Sequence, residues 1–314
     1  MDGIPLCSAN HDFQEDLMTL SGIAERQNLH ENLRLLAAQR QLYNEDKQWT
    51  HIWYFVTAGV AILGTGALVI FASYSTLITW IFLVTTLAEL FFLPRIRSNR
   101  AEAAGIQELF DCQVLDLNWN DALADKPDPK VIGLAVERFN KRKDRDLAWE
   151  DLLDWYESPE ICTATLAEAR LICQRENTGW DIGQRRQLYN RIIYANAGFV
   201  VILVTVGLIY HWRIEQLLSG PILLVIPLLV VLVRYGYEHH VAAERLGRLQ
   251  AVVDATINDA RHPDVDNLLI TQRTRNIQNE IYRHRRDYVP VPNWIFEKFR
   301  KDNSPTSALL NVSN

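Results

Sequence analysis

The sequence predicts an all-α membrane protein: four transmembrane helices arranged as two hairpins, with helical cytoplasmic regions around them. Three observations predict it. Two blocks of the 314-residue chain, 52–93 and 192–237, hold almost no charge, while the remainder is rich in Arg, Asp, Glu, Gln and Asn. Each block is broken near its middle by a short turn or loop. Elsewhere apolar residues recur at helical spacing, with one weak strand candidate at 114–117.

Residues 1–51 form the N-terminal cytoplasmic region. The first 16 contain acids and no apolar core, so no cleaved signal peptide is expected. Residues 22–50 lack Gly and Pro after Gly22 and space Leu29, Leu33, Leu36 and Leu42 as a helix does. Residues 52–73 then run without a charge, and at about 1.5 Å per residue they reach roughly 33 Å, enough for a ~30 Å hydrocarbon core. A turn at Tyr74-Ser75-Thr76 sends 77–93 back, closed by Pro94 with Arg95 and Arg97.

The central region, 94–191, predicts helices over 101–111, 130–156 and 166–177, with Ser158-Pro159 between the last two. Asn177-Thr178-Gly179 reads as a stop, with Asp181 available to cap the helix entering the third crossing. That crossing, 192–212, is apolar except for Asn196, His211 and aromatic rims. After the loop 213–219 comes the fourth, 220–237, which is short, carries Pro227 as a kink, and ends with Arg234 drawn toward the interface. The C-terminal cytoplasmic region, 238–300, predicts helices over 241–254, from Pro263 to about 287, and 294–300 after Pro290 and Pro292. Residues 301–314 are expected to be a disordered tail.

Orientation follows from the basic residues at the ends of the apolar segments. Arg40, Lys47, Arg95, Arg97, Arg100, Arg185, Arg186, Arg191, Arg234, Arg245 and Arg248 all fall on one side, against Arg213 alone in the connecting turns. Both termini and the central region are therefore expected in the cytoplasm. The plan also repeats. Gln39-Arg40-Gln41-Leu42-Tyr43-Asn44 before the first hairpin returns as Arg185-Arg186-Gln187-Leu188-Tyr189-Asn190 before the second, 146 residues later. The same offset aligns the hairpins, which marks an internal duplication with parallel rather than inverted topology.

Composition narrows the chemistry. With 32 Lys and Arg against 38 Asp and Glu the net charge is −6, which argues against a nucleic-acid polymer as partner. Cys7, Cys112, Cys162 and Cys173 have no regular spacing and are expected as free thiols. No HExxH, GxSxG, Ser/His/Asp or paired-carboxylate motif occurs, so neither an enzyme nor a cofactor is expected. His240 and Glu244 stand four apart beside His239 but lack further ligands at useful spacing, so a solvated helix face is expected and no metal.

Two sets of residues carry functional candidates. In the spans, Glu89 is a carboxylate at membrane depth, either a functional group or one that reaches the headgroups beside Arg95 and Arg97. Thr85 and Thr86 either line a pore or pack helices closely, and Arg234 joins them as a gating candidate. In the cytoplasmic parts, one string runs through Gln174, Arg175, Asn177, Trp180 and Asp181, and a second through Gln278, Tyr282 and Arg285 to Trp294. Arg forks onto phosphates and aromatic rings stack on bases, so the set suits a small nucleotide. The other reading is that Trp180 and Trp294 pack helices while the charges bridge them.

These strings also carry a resemblance. The run 38–43 before a hairpin, Leu109-Phe110-Asp111-Cys112, Trp119-Asn120, Trp155-Tyr156, Cys173-Gln174-Arg175 with Asn177 and Trp180-Asp181, and the stretch from Ile277-Gln278 to Pro292 resemble the four-transmembrane effector family associated with SMODS nucleotidyltransferases. The likeness covers roughly 25–300. It departs at Asn118, where the family often has Pro, and at Asn293, where it often has Asp. The resemblance implies an antiphage effector of the CBASS type in the bacterial inner membrane. Such an effector senses a cyclic oligonucleotide made by a partner nucleotidyltransferase, assembles as a homo-oligomer, opens a pore in the lipid bilayer and kills the infected cell. It implies no catalytic residue. The competing reading is a non-conducting membrane-anchored scaffold that recruits a cytoplasmic partner.

Overall fold

The structure, a computed structural model, describes residues 21–70, 75–217, 223–262 and 264–302. Among these residues every regular element is helical: α1 (Ile23–Gln27), α2 (His30–Ile70), α3 (Ser75–Val114), α4 (Pro129–Asn140), α5 (Arg145–Glu150), a 3-10 turn at Pro159–Cys162, α6 (Leu166–Ile209), α7 (Ile214–Leu217), α8 (Leu223–Ala260), α9 (Asn267–Asp287) and α10 (Asn293–Asp302).

Four helices, α2, α3, α6 and α8, are 38 to 44 residues long. At 1.5 Å per residue that is about 60 Å, twice the depth of a ~30 Å hydrocarbon core. The separate polar and apolar helices that the sequence predicts are thus single rods. The second apolar segment ends at Pro94 with Arg95 and Arg97, but the helix does not, because α3 runs on through them. The stop expected at Asn177-Thr178-Gly179 is likewise absent, and the side chains show why. Asn177 Nδ2 donates to the Tyr156 hydroxyl at 3.0 Å, and Thr178 Oγ1 donates back to the Gln174 and Arg175 carbonyls at 3.0 Å. Asp181, expected as a cap, instead meets His284 Nε2 at 2.8 Å. Asn177 and Asp181, which could stop a helix by bonding their own backbone, are occupied elsewhere, and Thr178 bonds carbonyls one turn back, which a continuing helix accommodates.

The chain divides into two compact units, Met1–Glu45, Asn99–Ile182 and Glu244–Tyr288 in the first, and Asp46–Ser98, Gly183–Ala243 and Val289–Asn314 in the second. In the first unit, Leu36, Ile106, Phe110, Phe139, Leu152 and Ile161 are fully buried in one core, and Leu171, Val253, Ile257, Ile270, Ile277 and Ile281 form another. Two of its helices start on aspartate caps: Asp128 accepts from Lys130 N, ahead of Pro129 in the first turn, and Asp266 accepts from Leu268 N, both at 2.8 Å.

Three connections depart from expectation. The strand candidate at 114–117 is the C-terminus of α3, where Leu117 N donates to the Cys112 carbonyl at 2.9 Å and Asp116 takes a left-handed φ of 52°. Arg170 of α6 clamps this end, donating from Nε to the Leu115 carbonyl at 2.5 Å, and from Nη2 to the Asp116 carbonyl and to Asp116 Oδ2, the last at 3.1 Å. The helix expected over 130–156 ends at Asn140, resumes as α5, and gives way to a turn with Asp154 at φ 48°. Asn28 holds that turn by exchanging two bonds with Asp154, and Gln27 Oε1 accepts from Tyr156 N at 2.9 Å. Cys112 and Cys173 are free thiols, but Cys162 is disulfide-bonded, contrary to the expectation for that residue.

In the second unit Leu188, Val291 and Ile295 are buried together, with Ile192 and Tyr235 packed on them. Gly236 permits close approach, since a Cβ there would lie 3.2 Å from Ile192 Cγ2. Buried Arg185 donates to His239 Nδ1 and to the Val289 carbonyl, each at 3.0 Å. This unit leaves large apolar side chains on its surface: Phe55, Phe91, Val201, Leu208 and Val230 are all exposed. Among the described residues one helix, α6, is long and apolar enough to cross a membrane, and only 6% of its apolar window is buried inside the protein.

The Arg170 clamp generates a prediction. Charge-assisted hydrogen bonds contribute about 1.5–3 kcal/mol each at most, so Arg170→Ala should lower the thermal midpoint of detergent-purified protein by that order of free energy. Asp116→Gly keeps both main-chain acceptors and relieves the left-handed backbone, so its midpoint should stay near that of the parent.

Candidate functional site

Within the first unit, three rods and one turn converge on a buried polar network. α3 supplies Glu108, Asp111 and Cys112, spaced three and four residues apart and so sharing one face. α9 supplies Thr274, Arg275, Gln278 and Arg285 on a single stripe, and α6 supplies Gln174 and Asn177. Tyr156 reaches in from the turn after α5, fixed by Gln27 and stacked beside Phe110 at 6.3 Å between centroids.

Asp111 is the centre and has no exposed surface. Its Oδ1 accepts from the Tyr156 hydroxyl at 2.7 Å. Its Oδ2 accepts from Arg285 Nη1 at 2.5 Å and from Gln278 Nε2 at 2.8 Å. Gln278 gives its other amide hydrogen to Glu108 Oε2 at 2.8 Å, while Arg275 Nη2 donates to Glu108 Oε1. Arg275 also donates to the Asn118 carbonyl and to Asn279 Oδ1, each at 3.0 Å. Gln174 Nε2 donates to Gln278 Oε1 and to the Thr274 carbonyl, both at 3.0 Å. Gln174 Oε1 is the buried amide oxygen of this group for which no hydrogen bond is found among the described residues.

Two carboxylates thus face two guanidiniums, and the formal charge of the network is zero. Burial, opposed by Arg275 and reinforced by neighbouring Asp111, raises the Glu108 carboxyl above its ordinary value. Burial, with Glu108 beside it, pushes the Cys112 thiol up to about 12. Burial likewise raises Cys173 and the Tyr156 phenol well above their usual ranges. None of these groups is an activated nucleophile. The arrangement holds helices to one another through paired charges and hydrogen bonds.

The structure brings together Gln174, Asn177, Gln278 and Arg285 from the two strings singled out in the sequence. Asp181 pairs with His284, which stacks on Tyr288 at 4.8 Å. Tyr282 is buried on the same α9 stripe, with the Arg286 guanidinium 5.6 Å from its ring. Trp180 is partly buried in the first unit. Arg175 stands apart, half-exposed, 3.5 Å from Glu160. Trp294 belongs to the second unit, where Arg191 lies 5.6 Å over its ring.

Of the span candidates, Thr85 Oγ1 donates to the Ile81 carbonyl at 2.8 Å within its own helix. Arg234 is 81% exposed and 3.6 Å from Glu238, one turn along α8. The side chains of Thr86 and Glu89 lie outside the described residues. His240 stacks on Tyr189 at 4.7 Å.

Sequence reasoning missed Glu108, Asp111, Arg275, Tyr156 and Arg170 as actors. Asp111 and Tyr156 were visible only as members of resembling strings. The usable signal was periodic: 275, 278, 282 and 285 fall on the stripe that also carries Ile270, Ile277 and Ile281, so polar residues there are directed inward.

Two predictions follow from the network's charges. Removing one partner of a buried pair strands the other, so Asp111→Ala and Arg285→Ala should each cost about 3–5 kcal/mol, while the double variant costs little more than either alone. Equilibrium unfolding in detergent measures this coupling. Secondly, a carboxyl whose folded pKa is raised stabilises below its unfolded value and loses that contribution as pH rises through its folded value. Wild type should therefore lose stability relative to Glu108→Gln as pH rises above 4.5, the ordinary value. A thermal-midpoint difference that grows in the wild type's favour over that range would contradict the assignment.

A family model described as the SMODS-associating 4TM effector domain matches residues 21–308, taking in every helix named above. A protein of Bacillus cereus (strain VD146) described as a probable CBASS effector molecule is 22% identical over 286 residues, covering 87% of this chain and 91% of that protein. No solved structure matches the chain.

Proposed function

The chain belongs to the SMODS-associating 4TM effector family, and from that premise we propose that it is the membrane-acting effector of a bacterial CBASS antiphage system. In this reading a cyclic oligonucleotide from a partner nucleotidyltransferase activates it, and an oligomer of the chain opens a pore in the inner membrane of the infected cell. The observation that carries the membrane part is the apolar window of α6, which leaves nearly all its residues outside the protein's interior. Water does not tolerate such a face over that length. The exposed Phe55, Phe91 and Val230 on the three other long helices extend the argument to four crossings. Both termini then lie in the cytoplasm, as the placement of arginines favours.

Four helices leave no room for a conduit inside one copy, so conduction requires several. A ligand drives assembly only by binding the assembled state more tightly. The first unit is the place for that event in this reading, because α2, α3, α6 and α8 pass from it into the second unit without a break in helix. In this reading phosphates compete with Asp111 for Arg285 and with Glu108 for Arg275, and half-exposed Arg175, outside the network, offers a further guanidinium.

The test is co-expression with the nucleotidyltransferase while a potential-sensitive dye reports the inner membrane, paired with purified protein in liposomes. Depolarisation in cells and cyclic-oligonucleotide-dependent dye release from liposomes are expected. Ligand binding without conductance in either assay would leave a membrane-anchored scaffold instead. Arg175→Ala should weaken ligand affinity about tenfold while leaving the thermal midpoint unchanged, since an exposed pair at that distance contributes little to the fold.

A further inference from the structure

Resting on the membrane reading above, we infer that α10 is an interfacial helix whose exposed face binds anionic phospholipid headgroups at the cytoplasmic surface. One side of this ten-residue helix is seated on its own unit. Ile295 is fully buried beside Val291 and Leu188, and Phe299 occupies the space that a Cβ at Gly183 would need. The other side presents Trp294, which is 51% exposed.

The depth of that indole is set by two contacts. Arg191 lies 5.6 Å over the ring, and Arg191 is the last charge of α6 before its apolar stretch begins. Lys47 Nζ donates to Asn293 Oδ1 at 2.6 Å, and Lys47 is the last Lys or Arg of α2 before its own apolar stretch. The start of α10 is therefore tied to two rods at the level where each turns from polar to apolar. Trp is enriched at that level of a bilayer because its ring is apolar and its N–H is polar.

Charge specifies the headgroup. Although the chain carries −6 overall, Arg95, Arg97 and Lys298 are exposed in the same unit, the arginines at the end of the second apolar segment and Lys298 one turn beyond Trp294. Lipid phosphates that carry a net negative charge complement such a set, and each cation near an anionic surface is worth about fivefold in binding, the equivalent of ~1 kcal/mol. Lys298 is exposed, so the fold does not depend on it.

The experiment is hydrogen exchange by mass spectrometry on the full chain in two vesicle types, pure phosphatidylcholine and a 3:1 mixture with phosphatidylglycerol. Amides of 293–302 should exchange about fivefold or more slowly in the mixture. Trp294→Ala should abolish that difference, Lys298→Gln should narrow it without abolishing it, and Glu297→Gln, which removes the acid beside Lys298, should increase it. Equal exchange in the two vesicles, or a difference that survives Trp294→Ala, overturns the assignment. Amides of 195–209 serve as the internal reference. If they too exchange fast in both vesicles, it is the membrane reading that fails, and the lipid site with it.

Discussion

A carboxylate with no exposed surface sits at Asp111, and the first unit is built to tolerate it. Removing an ionised carboxyl from water costs several kcal/mol even after relaxation, so the charge must be met by opposite charge and by donors on both oxygens. Arg285, Gln278 and the Tyr156 hydroxyl meet it. Each of those partners constrains a different piece of chain. Arg285 and Gln278 fix the rotation of α9. Tyr156 requires the turn after α5 to come back against α1, which is why Gln27 and Asn28 hold the main chain there. Asn177 in turn bonds the Tyr156 hydroxyl, which sets the face that α6 presents.

The two units follow opposite rules of burial. In the first, charges are turned inward and compensated beside two buried apolar cores. In the second, polar groups such as Arg185 and His239 are turned inward and the apolar residues are left outside. An exposed apolar surface around a polar interior suits lipid, where no hydrophobic force drives helices together and internal polar contacts supply part of the adhesion. One chain satisfies both because its long helices change character along their length rather than at breaks.

That continuity explains what the sequence could and could not reveal. The helical class, the apolar segments and the approximate ends of α9 and α10 were legible, since they rest on periodicity and on Pro263, Pro290 and Pro292. The joins were not. Asn177, Thr178 and Gly179 disfavour helix by local preference, and the tertiary bond from Asn177 to Tyr156 overrode it, while Thr178 bonds back one turn to α6's own carbonyls. The reading of 114–117 as a strand failed because two β-formers, Val114 and Leu117, flank a left-handed residue held by Arg170, fifty-odd residues away. The same distance problem hid the site. Arg285 looked like a free phosphate ligand because its partner Asp111 lies 174 positions earlier, and no local rule pairs them.

The pairing changes what a ligand would have to do. An open arginine cluster binds phosphate at no conformational cost, whereas here an anion reaches Arg285 only by displacing a carboxylate. The displaced Asp111 must then find water or another donor, and that expense is several kcal/mol. Such an exchange is poor at producing tight binding and good at producing a change of state. To move a population from 1:99 to 99:1 a ligand needs about 5.5 kcal/mol of preference for the second state. A ligand with several phosphates can supply that by engaging Arg285 and Arg275 together, and a single phosphate engaging one guanidinium cannot. Glu108 and Asp111, three residues apart on α3, would be released as a pair, and with them the contact that holds α9 to the helix continuing toward the apolar segment. In the proposed reading the network therefore suits a threshold response to a multiply charged signal better than graded sensing of a common metabolite.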